Sequence, residues 1–213
     1  MKKNAFTLAE VLITLGIIGV VAALVMPGLI VKVEKLITVI KVRKTINVLS
    51  NALQRAYVEN GLNAFDKPAS NSTQFFYYIA PYLNISKACI NVATAGKCGM
   101  DVITCAHGRD TGCTSFPASN PRIVLNDGTI VSWRDEGVSY YNFIFDVNGS
   151  KGKNKLCHDV WSGLFYVYDS AKGNYRVSIP DYNPVGNGIC TGNGNGVYGL
   201  GDLVNSGWKI NWR

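Results

Sequence analysis

The sequence predicts an α+β fold in which one long N-terminal helix packs on an antiparallel sheet of about four strands, with loops stapled by disulfides. Three observations carry that expectation. Residues 11–31 are a 21-residue run without a charged side chain, and the apolar pattern continues at helical spacing to about residue 59. Beyond residue 120 the pattern changes to the alternation and turn signals of strands. All six cysteines follow the apolar run. With 47% apolar and only 16% charged residues over 213 positions, the chain is too apolar to be disordered. The charge-free run argues equally against a purely cytosolic enzyme.

The net charge of +7 suggests nucleic acid only until it is divided along the chain. Residues 1–60 hold Lys2, Lys3, Lys32, Lys35, Lys41, Arg43, Lys44 and Arg55 against Glu10, Glu34 and Glu59, so +5 of the charge flanks the apolar run and +2 is left for the rest. Charge so placed orients a segment in a membrane or solvates a helix face, and nucleic acid is not the expected partner.

Taken in order, the first element is the helix. As a helix, Val11 to Val31 spans about 30 Å, the thickness of a bilayer core. Glu10 stands at the mouth of that run, where a carboxylate is costly in lipid and implies a partner. Thr7-Leu8-Ala9-Glu10 also fits the S/T-x-x-E capping box, which satisfies the first backbone N–H groups of a helix, and spacing alone favours this cap. Gly16 and Gly19 permit close approach of neighbouring helices, and Pro27 lacks a donor N–H. Val33, Leu36, Ile37, Ile40, Val42, Ile46, Leu49, Leu53 and Tyr57 then recur at spacings of three and four between charged and amide side chains, the pattern of an amphipathic helix. Asn60-Gly61 is its expected stop.

The remainder opens with a loop-rich stretch, 61–120, holding a short helix near Ser72 to Leu83. Arg122 to Leu125, the turn Asn126-Asp127-Gly128 and Thr129 to Trp133 make a hairpin. Tyr140 to Val147, Leu164 to Tyr168 and Tyr175 to Ile179 are three further expected strands. A helix followed by a meander makes an α+β head.

Cys89, Cys98, Cys105, Cys113, Cys157 and Cys190 are candidates for up to three disulfides in an oxidising compartment. A zinc site is disfavoured because no C-x-x-C occurs and the histidines are only His107 and His158. Connectivity does not follow from spacing, although a Cys157 to Cys190 bridge would restrain the Gly- and Asn-rich tail after Asn183.

Ala5-Phe6-Thr7-Leu8-Ala9-Glu10-Val11-Leu12-Ile13-Thr14-Leu15-Gly16-Ile17-Ile18-Gly19 closely resembles the prepilin cleavage and methylation segment of type IV pilins and type II secretion pseudopilins. The resemblance covers about residues 1–31 and implies a pilin-like fold. It implies cleavage between Ala5 and Phe6 by a prepilin peptidase that also methylates the new Phe6 amine. It further implies that Glu10 takes the family's conserved carboxylate position, and that Pro27 falls where a helix-kinking proline is common. Ala5 departs from the glycine usual before the cut. Physics supports the carry-over, because a freed Phe6 amine in an apolar setting needs a counter-ion, and Glu10 of a neighbouring subunit supplies one.

The expected domains are a leader peptide (1–5), a transmembrane and assembly helix (6–31), its amphipathic half (32–60) and a globular head (61–213). Expected partners are prepilin peptidase/methyltransferase, other pilin or pseudopilin subunits, the inner-membrane assembly platform and the inner membrane. The precursor is expected to span the inner membrane once with its head outside, and then to enter a periplasmic or cell-surface fibre. The positive-inside bias alone would put the head in the cytoplasm, because five basic residues follow the run. The cysteines outweigh it.

Residues 145–161 are similar to a D-x-N-G…N…D loop of bacterial pilin-like heads. Asp146, Asn148, Asn154 and Asp159 could converge on Ca²⁺, with Gly149 and Gly152 at the bends. Asx side chains that bond their own backbone explain the same residues without a metal, and otherwise no cofactor is expected. No G-x-S-x-G, P-loop or H-E-x-x-H occurs, so an enzyme is not expected. Two alternatives to a fibre subunit are a secreted disulfide-bonded binding protein whose signal peptide ends at Val21-Ala22-Ala23, and a plain membrane-anchored surface protein.

Overall fold

The computed structural model describes residues 7–60, 72–91, 96–100, 103, 120–135, 140–152, 154–166, 190 and 199–210. The chain divides into two compact units, Met1–Ile37 and Thr38–Arg213.

Helix α1 runs from Leu8–Asn60, 53 residues, with Pro27 inside it. Pro27 has no N–H, so the carbonyl of Ala23 lacks its usual helical donor. In the first unit the large apolar side chains of α1 are exposed. The helix is long and apolar enough to cross a membrane.

Within the second unit, the rest of α1 buries Val42, Thr45, Leu49, Ala52, Leu53 and Ala56, a stripe at helical spacing. All but Thr45 join one apolar cluster with the strands. Helix α2 (Ser72–Ile79) leads into a short 3₁₀ turn, Ala80–Tyr82. The Tyr82 hydroxyl donates to Glu59 Oε2 at 2.7 Å and ties that turn to the last turn of α1.

Five strands follow: β1 (Ile85–Cys89), β2 (Arg122–Leu125), β3 (Ile130–Asp135), β4 (Tyr140–Asp146) and β5 (Val160–Tyr166). They form an antiparallel meander in the order β1-β2-β3-β4-β5. Register puts Ile123, Val131, Phe145 and Trp161 in one row across β2 to β5, with Trp133 and Phe143 paired beside them. Phe76 of α2 stacks on Trp133 at 6.0 Å, so α2 covers this face. The other face is mixed: Arg122, Ser132, Asn142, Asp146 and Ser162 are buried among Ile130, Ile144 and Val160. The turn at Gly99 lies there, since a Cβ on Gly99 would meet Ile130 at 3.1 Å. Helix α3 (Gly199–Asn205) packs on β5, with Leu200 against Gly163.

The α+β class agrees with the sequence, and among the described residues two details differ. The sheet has five strands rather than about four, because β1 adds an edge. Strand β5 starts at Val160, four residues before the expected Leu164. The strand expected at 175–179 lies outside the described residues, as does Gly61.

Candidate functional site

Two places gather the predicted residues, one in each unit. The first is the start of α1. Thr7 caps it: the Thr7 N–H and hydroxyl both donate to Glu10 Oε2 at 2.8 Å, and the Glu10 N–H donates back to Thr7 Oγ1 at 3.3 Å. This is the reciprocal capping box that the spacing predicted. Both bonds fall on Oε2, so Oε1 takes part in neither. Gly16, Gly19 and Gly28 have nothing within 4 Å of where a Cβ would stand, so their notches are not filled by this chain. Ala5 and Phe6 lie outside the described residues.

The second place is the connection from β4 to β5. Asp146 is the last residue of β4 and is fully buried. Its Oδ1 accepts the backbone N–H groups of Asn148 and Gly149 at 2.9 and 3.1 Å, an Asx turn. The Asn148 amide nitrogen donates to Asp159 Oδ2 at 2.8 Å, and Asp159 Oδ1 accepts the Lys155 N–H at 2.7 Å. Three of the four loop candidates are thereby joined in one hydrogen-bonded set. Asn154, half-buried, is placed in the same loop just before Lys155.

Burial, with the Asp159 charge adding to it, pushes the Asp146 carboxyl up to about 7, against the opposing pull of the two N–H groups and Lys41. Burial raises Asp159 as well. Among the described residues no three His, Cys, Asp or Glu side chains gather as a metal cluster; the loop offers two carboxylates and an amide.

Two features of this loop escaped the sequence. Lys41 of α1 donates to the Val147 carbonyl at 3.1 Å, and its position between Ile40 and the buried Val42 was the available signal. Gly149, at φ +68°, packs so closely on Gly128 of the β2–β3 turn that a Cβ would lie 2.4 Å from the Gly128 oxygen. Two turns of the sheet are thus keyed together by a glycine.

Cysteine placement agrees with an oxidised head. Cys89 is bridged to Cys98 and Cys157 to Cys190, the second being the pair expected to restrain the tail. Gly199 sits against that bridge, 3.1 and 3.2 Å from its two sulfurs measured from an ideal Cβ, and Asp202 of α3 accepts the Cys190 N–H at 2.8 Å. Cys105 and Cys113 lie outside the described residues.

No curated protein and no solved structure gives a significant match to the chain. Residues 1–26 match the family model of the prokaryotic N-terminal methylation motif, and the chain therefore carries the prepilin cleavage signal of type IV pilins and pseudopilins.

Proposed function

We propose that the protein is a structural subunit of a type IV pilus or a type II secretion pseudopilus. Prepilin peptidase removes residues 1–5 and methylates the amine of Phe6. Residues 6–31 then hold the subunit in the inner membrane, residues 32–60 join that segment to the head, and the head (61–213) stays outside. The observation that carries this is the continuity between the motif at 1–26 and a helix whose apolar side chains are exposed from its first turn. Such a surface is stable in lipid or against other helices, not in water.

Assembly moves the helix from lipid into a fibre core. There the Phe6 amine of an incoming subunit meets Glu10 of a neighbour, and Oε1, unused by the cap, accepts it. A buried ion pair of this kind sets register more than it adds stability. Gly16 and Gly19 let helices approach, and the carbonyl left without a donor by Pro27 marks where α1 can open.

The test is the N-terminal residue and intact mass of the protein from its native membrane fraction. N-methylated Phe6 is expected; an N-terminus at Leu24 or an intact Met1 would sink the proposal.

A further inference from the structure

Beside the second half of α1 the head has a cleft of about 640 Å³, a volume within the range of small-ligand sites. One wall is the stretch of α1 from Val48 to Glu59, about 16 Å of helix; the other is Tyr82 of the 3₁₀ turn and Asn84, the residue before β1. The Tyr82–Glu59 hydrogen bond joins the two walls, and the Asn84 carbonyl accepts the Asn126 N–H at 2.9 Å, which fixes the second wall to the β2–β3 turn. The frame is therefore set by the fold, while its polar groups are uncommitted. Among the described residues the side-chain amides of Asn51, Gln54 and Asn84 take part in no hydrogen bond, and the Arg55 guanidinium in no hydrogen bond or ion pair. Glu59 is the one carboxylate among the described lining residues, and its Oε2 is taken by Tyr82.

We propose that this cleft binds an acidic saccharide, with Arg55 on its carboxylate and Asn51, Gln54 and Asn84 on its hydroxyls. Each amide presents a donor and an acceptor side by side, which matches hydroxyls that both give and take a hydrogen bond. The planar guanidinium fork fits a carboxylate with two parallel hydrogen bonds. Val48 and Val58, the latter 78% exposed, offer apolar surface to the C–H face of a sugar ring. Other ligand classes fit less well. An extended peptide is recognised through main-chain groups at a strand edge, whereas the α1 wall has its main-chain N–H and C=O groups bonded within the helix. A nucleic-acid backbone is held by several Lys and Arg side chains, and Arg55 is the single cation among the described lining residues. The site needs only the head and does not depend on the chain's being a fibre subunit.

The full-length protein in a sugar-free detergent tests it, with trigalacturonate, its neutral methyl ester and the acidic peptide triaspartate as probes. Ligand-observed NMR titration should give saturable binding of trigalacturonate, binding of the ester weaker by about tenfold, and no saturable binding of triaspartate. Arg55→Gln should weaken trigalacturonate by about tenfold, the loss of one charge-assisted pair, and leave the ester's affinity as it is. Asn51→Ala should weaken both sugars alike. Both positions are exposed, so the variants should keep the melting midpoint of the head. No saturable binding of trigalacturonate at millimolar concentration would overturn the site. Equal affinity for the ester, tighter binding of triaspartate, or undiminished binding of trigalacturonate by Arg55→Gln would overturn it as well.

Discussion

Along α1 the same kind of side chain meets two different fates. From Leu8 to Ile37 the large apolar residues are 40 to 78% exposed, whereas Val42, Leu49 and Leu53 in the next turns are 0 to 2% exposed. The side-chain types do not explain the difference, because leucine and valine are exposed in the first stretch and buried in the second. Partners do. The second stretch has strands to bury against; among the described residues the first has none, and an exposed apolar helix of that length suits lipid or other helices. Stability of the head and function of the N-terminal segment are therefore separable, and substitutions should affect one without the other.

The largest expected effect is functional and leaves the head untouched. Glu10→Ala should be processed and membrane-inserted yet absent from sheared fibres, with the head's melting midpoint unchanged. Normal incorporation of this variant would remove the role given to Glu10. Losing the cap costs only about 1 kcal/mol of local helix stability at Thr7 and Glu10, too little to unfold α1.

Trp133→Ala tests the other side of the comparison. Trp133 is 1% exposed and stacked on Phe76, so its loss should cost about 3–5 kcal/mol in the head, read by thermal melting. Membrane insertion and the N-terminal residue should stay as they are. An equal effect on both readouts would mean that the two units are not independent.

The two regions also differed in how openly the sequence declared them. Helix α1 was visible from its charge-free run and the Thr7-Leu8-Ala9-Glu10 cap, and the β2–β3 hairpin from Asn126-Asp127-Gly128, with Gly128 at φ +87°. Both signals are local. Strand β1 was not visible, because Ile85-Ser86-Lys87-Ala88-Cys89 is an edge strand whose middle three residues are exposed, and Lys87 suits an edge. The start of β5 is hidden because Val160 and Trp161 directly follow the Asx-rich loop, with no turn residue between them. The mixed face of the sheet was the least legible: Arg122, Asn142 and Asp146 are polar types that alternation assigns to solvent, and only tertiary neighbours put them inside. At the candidate site the residue types of the loop were readable, while the division of their oxygens between bonded and unbonded required three dimensions.

Reducing or removing the Cys157–Cys190 bridge ranks next. The bridge closes 33 residues, which in the chain-entropy account contributes about 3–4 kcal/mol by restricting the unfolded chain. Cys157→Ala with Cys190→Ala should lower the midpoint of the head with no change in processing. Gly199→Ala should act in the same direction through its contact with both sulfurs.

The smallest effect sharpens the comparison at its boundary, where α1 first engages the sheet. Lys44 pairs with Asp127 of the β2–β3 turn at 2.8 Å. Partial burial pushes the Asp127 carboxyl up, but Lys44 and the Thr129 N–H outweigh it and hold it below its ordinary value. A carboxyl depressed on folding stabilises the fold above its unfolded value near 3.9, and that contribution disappears as pH falls through the folded value. Both side chains are solvent-accessible, so screening limits it to about 0.5 kcal/mol. Asp127→Asn should therefore melt slightly below the unaltered protein at neutral pH, with the gap closing as the solution is acidified past the ordinary carboxyl range. A gap that widens on acidification would show that Asp127 is not held by Lys44.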